Sequence, residues 1–306
     1  MELRDIEYFA IVAEQRHLGR AAAILGLSQP ALSKSLRRLE VSLQVKLVRR
    51  TPKGIELTEE GSALLMRVQE LRLAFQSVAR EIADVSQGHV GHLRIGAGAA
   101  VSQHFLSASF AALLEQVPRA RLKVVISDND VMIPALRNGE LDLIVNYVIP
   151  PLPEGVVSKH LFDDDQLVCA STKHRLAGKR RLTIADLEQE QWALSEPALE
   201  SSVWLQGRFR DGGLRPLRIA LESRSVVLRL RTVALSKLLT FASRGTIELA
   251  RSSRLPLAPL DVGELTRARQ IGAIFRKEAY LPPVVGRFIE ILKNQATSKA
   301  AQRRLR

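Results

Sequence analysis

The chain has 306 residues, and at roughly 150 residues per domain this length predicts about two domains. Its 45 Lys and Arg against 32 Asp and Glu give a formal net charge of +13, which favours a polyanionic partner. The sequence lacks a long apolar run and a secretory signal, and its single cysteine, Cys169, excludes a disulfide framework and a multi-cysteine metal site.

The positive charge is concentrated near the start of the chain. Nine basic residues lie between Arg16 and Lys53, where Glu40 is the only acidic residue. Acidic residues flank this window on both sides. The pattern indicates a directed basic surface, although a solvated charged face would give the same pattern.

Three short helices are predicted in the same region. Apolar spacing indicates a helix over residues 6–12, a second over 18–25 ended by Gly26, and a third over 29–43 capped by Ser28. In the third helix an apolar stripe is expected to face the core, and it comprises Leu32, Leu36, Leu39 and Leu43. The opposite, outward side then carries polar and basic residues, namely Gln29, Ser33, Lys34, Arg37 and Arg38.

Two short helices joined by a tight turn, with a basic face on the second, form a helix-turn-helix, whose second helix enters the major groove of DNA. The basic turn over residues 49–54 separates two predicted strands, 45–48 and 55–57. Lys53 and Gly54 would form the tip of a β-wing on the DNA backbone. A three-helix cap with a charged outer face is the alternative.

The segment 18–40, with the core Ser28-Gln-Pro-Ala-Leu-Ser33, and the segment 47–61 resemble the winged helix-turn-helix of LysR-type transcriptional regulators. The resemblance implies a DNA-binding domain over residues 1–58 that contacts double-stranded operator DNA. Gly19 departs from the family, which has Ser or Thr at the start of the second helix, but Gly is a tolerable cap. The resemblance gives Gln29, Pro30, Ser33, Lys34 and Lys53 as DNA contacts, and the basic face and turn add Arg37, Arg38 and Arg50.

A long helix is predicted over residues 59–87, begun by Thr58. Apolar residues follow heptad spacing, as in a coiled coil, at Leu64, Val68, Leu71, Phe75, Val78 and Ile82. Pairing with a second chain would present two DNA-binding domains to a two-fold operator. An amphipathic helix packed on its own domain is the alternative.

After a flexible joint at residues 88–91, strands and helices alternate, which predicts an α/β domain with a largely parallel sheet. The segments 136–144, 173–177 and 281–283 resemble the two-lobed, periplasmic-binding-protein-like effector domain of the same regulators, so the resemblance covers nearly the whole chain. It implies an effector domain over 92–296, with one lobe from 92–162 and 268–296 and the other from 163–267. The basic tail 297–306 is predicted to be disordered.

A small-molecule effector is expected between the lobes. Ala100, Val101 and Ser102 follow the first strand, where α/β sheets bind ligands, although Ser102 could instead cap a helix. The resemblance adds Asn146, Ser202 and Ser225. Residues 201–270 hold 13 basic and 5 acidic side chains, which suits an anionic effector such as a carboxylate or reflects surface charge alone. Ser236 and Leu238 replace family glycines, so close backbone approach is disfavoured there and the resemblance leaves the pocket wall on that side open.

Other function classes have less support. Catalytic motifs of hydrolases, phosphate-binding loops and zinc proteases are missing, so neither an enzyme nor a cofactor or metal is expected. A transport-type solute-binding protein would need a signal peptide. Nonspecific nucleoid packing is the nearest rival. The resemblance further implies a cytoplasmic homodimer, a homotetramer built as a dimer of dimers, and contact with RNA polymerase.

Overall fold

The structure, a computed structural model, describes residues 2–52, 54–86, 91–277 and 280–304. Lys53 and the joint residues 88–90 therefore lie outside the described residues. The chain divides into two compact units, 1–83 and 84–306, and each is described by itself.

The first unit begins with three helices that enclose a core around Phe9 and Leu32. They are α1 (Leu3–Gln15), α2 (Leu18–Leu25) and α3 (Gln29–Leu43). The predicted bounds of α2 and α3 and the Ser28 cap are confirmed. The residue that caps α2 differs from the expected Gly19: the cap is His17, whose Nδ1 accepts hydrogen bonds from the backbone N–H groups of Gly19 and Arg20.

A two-stranded wing follows, formed by β1 (Val48–Thr51) and β2 (Gly54–Leu57). The prediction that the first strand begins at Val45 is wrong, because the Val45 backbone N–H closes the end of α3 on the Glu40 carbonyl. Arg50 lies in β1 and not in the basic turn that the sequence predicts. Gly54 has a φ of +130°, and a Cβ there would lie 2.5 Å from the Arg16 carbonyl oxygen, so this close approach requires glycine.

Helix α4 (Glu59–Ser86) starts at Thr58, whose Oγ1 accepts the Gly61 N–H at 2.9 Å as predicted. Its apolar stripe divides in two. Val68 is 3% exposed in the core of the first unit, and Leu64 packs against the same core. Leu64 and Val68 are therefore not available to pair with a second chain, because they pack the helix against its own domain. The other four stay exposed, namely Leu71, Phe75, Val78 and Ile82.

The second unit starts with an α/β lobe whose cores come from residues 93–161 and 271–296. Strand β3 pairs in parallel with β4 on one side and β5 on the other. The elements up to this point are β3 (His92–Ala97), α5 (Ala99–Val101), a π-helical turn (Ser102–Leu106), α6 (Ser107–Gln116), β4 (Arg121–Ile126), α7 (Asn129–Arg137) and β5 (Leu143–Tyr147).

A long strand, β6 (Val156–Ser171), leads from this lobe into a second one, whose cores come from residues 167–265. The second lobe contains β7 (Gln191–Leu194), α8 (Glu200–Asp211), β8 (Arg218–Glu222), α9 (Val226–Ala234), β9 (Thr240–Ser243), α10 (Arg244–Ser252) and β10 (Leu257–Pro259). The return strand is β11 (Arg267–Arg276), followed by α11 (Pro283–Arg304).

The expectation of a largely parallel sheet is wrong. The seven-stranded sheet runs in the order β10-β6-β11-β5-β3-β4, with β9 also on β6, and β6 pairs antiparallel with β9, β10 and β11. The chain passes from the first lobe to the second along β6 and returns along β11, so these two strands run in opposite directions. The predicted disordered tail is also wrong as far as Arg304, because α11 continues to that residue. None of the described helices is long and apolar enough to cross a membrane.

Candidate functional sites

The exposed side of α3 carries most of the predicted DNA contacts. Gln29, Pro30, Lys34 and Arg37 are exposed, and Ser33 is half-buried between them. The Ser28 Oγ accepts the Ala31 N–H at 3.3 Å and fixes the start of the helix. The first turns of α3 therefore present an amide, a hydroxyl and cations in one surface, the groups that pair with base edges and phosphates.

The wing adjoins this surface through Arg50. Its Nη2 donates to the Ser33 Oγ at 3.4 Å. Lys34, Arg37 and Lys46 border a groove of about 510 Å³ between α3 and β1, together with Ser33 and Arg50. Strand and helix thus form one continuous basic surface.

Arg38 is exposed, as expected, but its guanidinium is held by a carboxylate of α1. Its Nε donates to the Asp5 Oδ2 at 2.7 Å, and its Nη2 contacts the other oxygen of the same carboxylate. The Ser35 Oγ donates to Asp5 Oδ1 at 2.5 Å. The hydrogen bond from Arg38 lowers the pKa of the fully buried Asp5. Arg38 therefore braces α3 against α1, a role that no local pattern around Arg38 indicated.

Glu40, the only acid in the basic window, points into the domain. It is 7% exposed and accepts hydrogen bonds from the Lys46 Nζ at 2.9 Å and from the Leu47 N–H at 3.0 Å. These hydrogen bonds lower its pKa against the opposing effect of burial. Glu40 thus neutralises Lys46, with which it lines the groove, and leaves Lys34, Arg37 and Arg50 as the cations of this surface.

The second unit has a cavity of about 340 Å³ between its lobes. One lobe contributes Ala100, Asp128 and Asn146, and the other contributes Ser195, Arg224 and Ser225. Gln166 and Arg269 line it from the connecting strands β6 and β11. Of the predicted effector residues, Ala100, Asn146 and Ser225 thus line the cavity.

Three predicted effector residues do not line the cavity. Val101 is 2% exposed in the core of its lobe. The Ser102 Oγ donates to the Ala99 carbonyl inside the helical run, whose N-cap is Gly98, so Ser102 neither caps the helix nor lines the cavity. Ser202 is buried, and its Oγ donates to the Ser195 carbonyl at 3.0 Å, so it positions a lining residue instead.

Ser236 and Leu238 lie outside the cavity wall. The Ser236 Oγ accepts the Leu238 N–H, and Leu238 packs on the core of the second lobe. The wall on that side is formed by the strand and helix that follow, through Phe241, Ala242, Ser243 and Thr246.

Asn146 is fixed in the cavity wall by close packing. Its Nδ2 donates to the Asn129 Oδ1 at 2.8 Å, and the Asn129 Nδ2 donates to the Tyr147 carbonyl at 2.9 Å. A Cβ on Gly98 would lie 2.2 Å from the Asn146 Oδ1, so the amide can occupy this place only beside a glycine.

The arginines of the cavity wall differ in their pairing. Arg224, Arg229 and Arg269 line the cavity together with Asp128, and Arg224 is paired with Asp128, Asp130 and Glu196, so Arg229 and Arg269 are the cations left for a ligand. Burial lowers the pKa of Arg229 to about 10, so it stays protonated near neutral pH, and burial also lowers the pKa of Arg269. Burial raises the pKa of Asp128. The wall is therefore suited to an anion.

The N-termini of two helices add to the positive potential at the cavity wall. Ser225 caps α9 by accepting the Leu228 N–H, and Ser243 caps α10 by accepting the Thr246 N–H, each at 3.3 Å. Both caps line the cavity. Because helix N-termini carry partial positive charge, they also favour an anion.

Comparison with known proteins gives matches to both units. Residues 3–62 match the family described as "Bacterial regulatory helix-turn-helix protein, lysR family", and residues 86–297 match the "LysR substrate binding domain". The HTH-type transcriptional regulator GbpR of Azospirillum brasilense is 30% identical over 256 residues, covering 81% of this chain and 73% of GbpR.

A second relative is a "Probable hydrogen peroxide-inducible genes activator" of Mycobacterium xenopi, 33% identical over 180 residues, 59% of this chain and 95% of that protein. The fold resembles that of full-length CbnR complexed with its target DNA, with a TM-score of 0.60 and 22% identity, covering 96% of this chain and 100% of CbnR.

Proposed function

Because this chain belongs to the LysR family of bacterial transcriptional regulators, we propose that it contacts its operator through the exposed side of α3 and the wing. It is a DNA-binding regulator with an effector-binding domain, and not an enzyme. The proposed contacts are Gln29, Pro30, Ser33, Lys34, Arg37, Arg50 and Lys53, whereas Arg38 positions the helix. We propose that residues 1–58 form the DNA-binding domain, 59–87 the dimerisation helix and 92–296 the effector-binding domain.

The observation that carries this proposal is the continuity of α3 with the wing. Arg50 of the wing donates a hydrogen bond to Ser33 of α3. A side chain placed to contact the DNA backbone therefore touches one placed to enter the major groove. Glu40 pairs with Lys46, so Lys34, Arg37 and Arg50 supply the positive charge of this surface.

Footprinting on the DNA upstream of the gene for this chain tests the proposal. A discrete protected site is expected, and Lys34→Ala should weaken its protection, whereas Lys173→Ala in the second unit should not. Uniform coverage of the DNA would instead favour nonspecific packing.

We also propose a homodimer joined through the exposed part of α4. Leu71, Phe75, Val78 and Ile82 are spaced by three or four residues, and each is more than half exposed in the single chain. A second copy would cover this stripe and place two DNA-binding surfaces on a two-fold operator. From the family alone we extend the proposal to a homotetramer of two such dimers, to contact with RNA polymerase, and to action in the cytoplasm.

For the effector we propose a small anion held in the cavity. Arg229 and Arg269 are the lining cations left for a ligand, and the caps of α9 and α10 face the same space. A thermal-shift panel of carboxylates, phosphates and matched neutral amides tests this. Stabilisation by anions but not by amides is expected, and flat melting curves with every anion would contradict it.

Peroxide response is a second candidate, since the Mycobacterium xenopi relative is named as a probable peroxide-inducible activator. A thiol sensor needs an accessible cysteine that ionises readily. Cys169 is the only cysteine of the chain, it is fully buried, and burial raises its pKa to about 12. The anionic effector is therefore the better supported proposal.

A further inference from the structure

Gln166 and Arg269 come from the two strands that connect the lobes. In the antiparallel register of β6 with β11, Gln166 pairs with Arg267, and Asp164 pairs with Arg269. Gln166 and Arg269 are therefore diagonal neighbours on one face of the sheet, with Cβ atoms roughly 7–8 Å apart. Both line the cavity, so a small ligand can touch both side chains at once.

Each of these residues has a buried polar atom without a protein partner. Gln166 is 4% exposed, and within the described part of the chain its Oε1 finds no hydrogen-bond partner. The same holds for the Nε of Arg269, whose guanidinium stacks on the Tyr147 ring at 4.1 Å. An unpaired buried acceptor and donor both cost stability, and a ligand that pairs with both offsets this cost.

We propose that the effector is a small hydroxycarboxylate, with its carboxylate on Arg269 and its hydroxyl on Gln166; this inference rests on the proposed anionic effector. A carboxylate accepts from the Arg269 Nε in a charge-assisted hydrogen bond. A hydroxyl donates to the Gln166 Oε1 or accepts from its amide nitrogen, so it fits either orientation of the amide.

Other groups fit the Gln166 position less well. A methylene would leave the Gln166 amide unpaired in either orientation. An ammonium could donate to the Gln166 Oε1, but the Arg269 guanidinium lies beside this position and repels a cation. The cavity of about 340 Å³ has the volume of roughly ten waters, which is ample for a small hydroxycarboxylate.

Calorimetric titration of the full-length protein with matched acids tests this inference. The pairs are lactate and propionate, 3-hydroxybutyrate and butyrate, and malate and succinate. In at least one pair the hydroxylated acid should bind at least about tenfold more tightly. Gln166→Leu should abolish that difference while keeping the affinity for the plain acid, and Arg269→Gln should abolish binding of both. Gln270→Leu, at an exposed position of β11 outside the cavity wall, is the control and should change neither affinity.

Equal affinities within every pair, or a difference that survives Gln166→Leu, would overturn the hydroxycarboxylate but leave the anionic effector standing. If no acid of any pair binds the unaltered protein, the anionic effector itself fails, and this inference fails with it.

A second measurement needs no ligand. Because the Gln166 Oε1 is unpaired, Gln166→Leu and Gln166→Met should keep or raise the melting temperature of the free protein. A fall in melting temperature for both variants would show that Gln166 serves the fold, and would overturn its assignment to the ligand.

Discussion

The Nη2 of Arg224 lies 3.2 Å from the Oδ2 of Asp130, and this ion pair joins the two lobes beside the cavity. The same guanidinium lies 3.4 Å from Asp128 in the first lobe and 2.8 Å from Glu196 in the second. Hydrogen bonds to Glu196 and Asp130 raise the pKa of Arg224 and keep it charged. One cation thus holds carboxylates from both lobes that would otherwise repel each other.

Replacement of this cation should loosen the lobes. Arg224→Ala should accelerate amide hydrogen exchange in the first turns of α7 and α9 several-fold, because the carboxylates on the two sides lose their shared partner. Mass spectrometry of the full-length protein measures this. Arg244→Ala is a matched control, since Arg244 is similarly exposed and pairs with Asp165 within one lobe. Equal acceleration in both variants would contradict a role in holding the lobes together.

The buried Asp5 carboxylate predicts a pH-dependent brace on α3. Its pKa is lowered in the folded protein, so its contribution to stability is complete above roughly pH 5 and is lost as the pH falls through the folded value. Asp5→Asn should therefore lower the melting temperature of the first unit by a few degrees near neutral pH, and the difference should vanish in acid.

Calorimetry across pH measures this difference. Glu7→Gln, at an exposed position of the same helix, is the control and should behave as the unaltered protein does. A difference between Asp5→Asn and the unaltered chain that stays constant down to acid pH would show that the charge of Asp5 contributes nothing.

Local sequence patterns were sufficient to predict α2 and α3. Apolar spacing, the Ser28 cap and Gly26 fix their bounds because each signal acts within a few residues. The Arg38 contact could not be predicted in this way, since its partner Asp5 lies 33 residues upstream. Val68 shows the same limit, because heptad spacing does not reveal which part of a helix packs on its own domain.

The cavity was predictable only in part. Asn146 and Ser225 came from the family resemblance, whereas Gln166 and Arg269 have no local signal. They meet because β6 and β11 pair in one register. The first half of β6 has no local strand signal, since Asp163, Asp164 and Asp165 interrupt the apolar pattern that a buried strand would show.

Arg37 and Arg38 are adjacent in sequence but should behave differently on substitution. Arg37 is exposed and forms no ion pair within the described residues. Arg37→Ala should therefore reduce the salt slope of operator binding by roughly one and leave the melting temperature unchanged. Arg38→Ala should mainly lower the melting temperature. Fluorescence anisotropy at several salt concentrations, with calorimetry, separates the two effects. The assignment fails if Arg38→Ala alone changes the slope.

Cys169 should take no part in a response to peroxide. With a pKa of about 12, about one thiol in 100,000 is ionised near neutral pH, and the thiolate is the reactive form. Cys169→Ala should therefore leave operator binding with and without hydrogen peroxide as it is in the unaltered chain, and alkylation of the native thiol should be slow. Peroxide-dependent binding that disappears in Cys169→Ala would disprove this.

The exposed stripe on α4 gives the last prediction. Phe75 is 68% exposed, so a charge there costs the single chain little but would be buried in a paired helix. Phe75→Glu should therefore convert a dimer into monomers in sedimentation experiments and weaken operator binding at least about tenfold, because one DNA-binding surface replaces two. Gln69→Glu adds the same charge at an exposed position outside the stripe and should preserve the dimer. A dimer that survives Phe75→Glu would exclude pairing through this stripe.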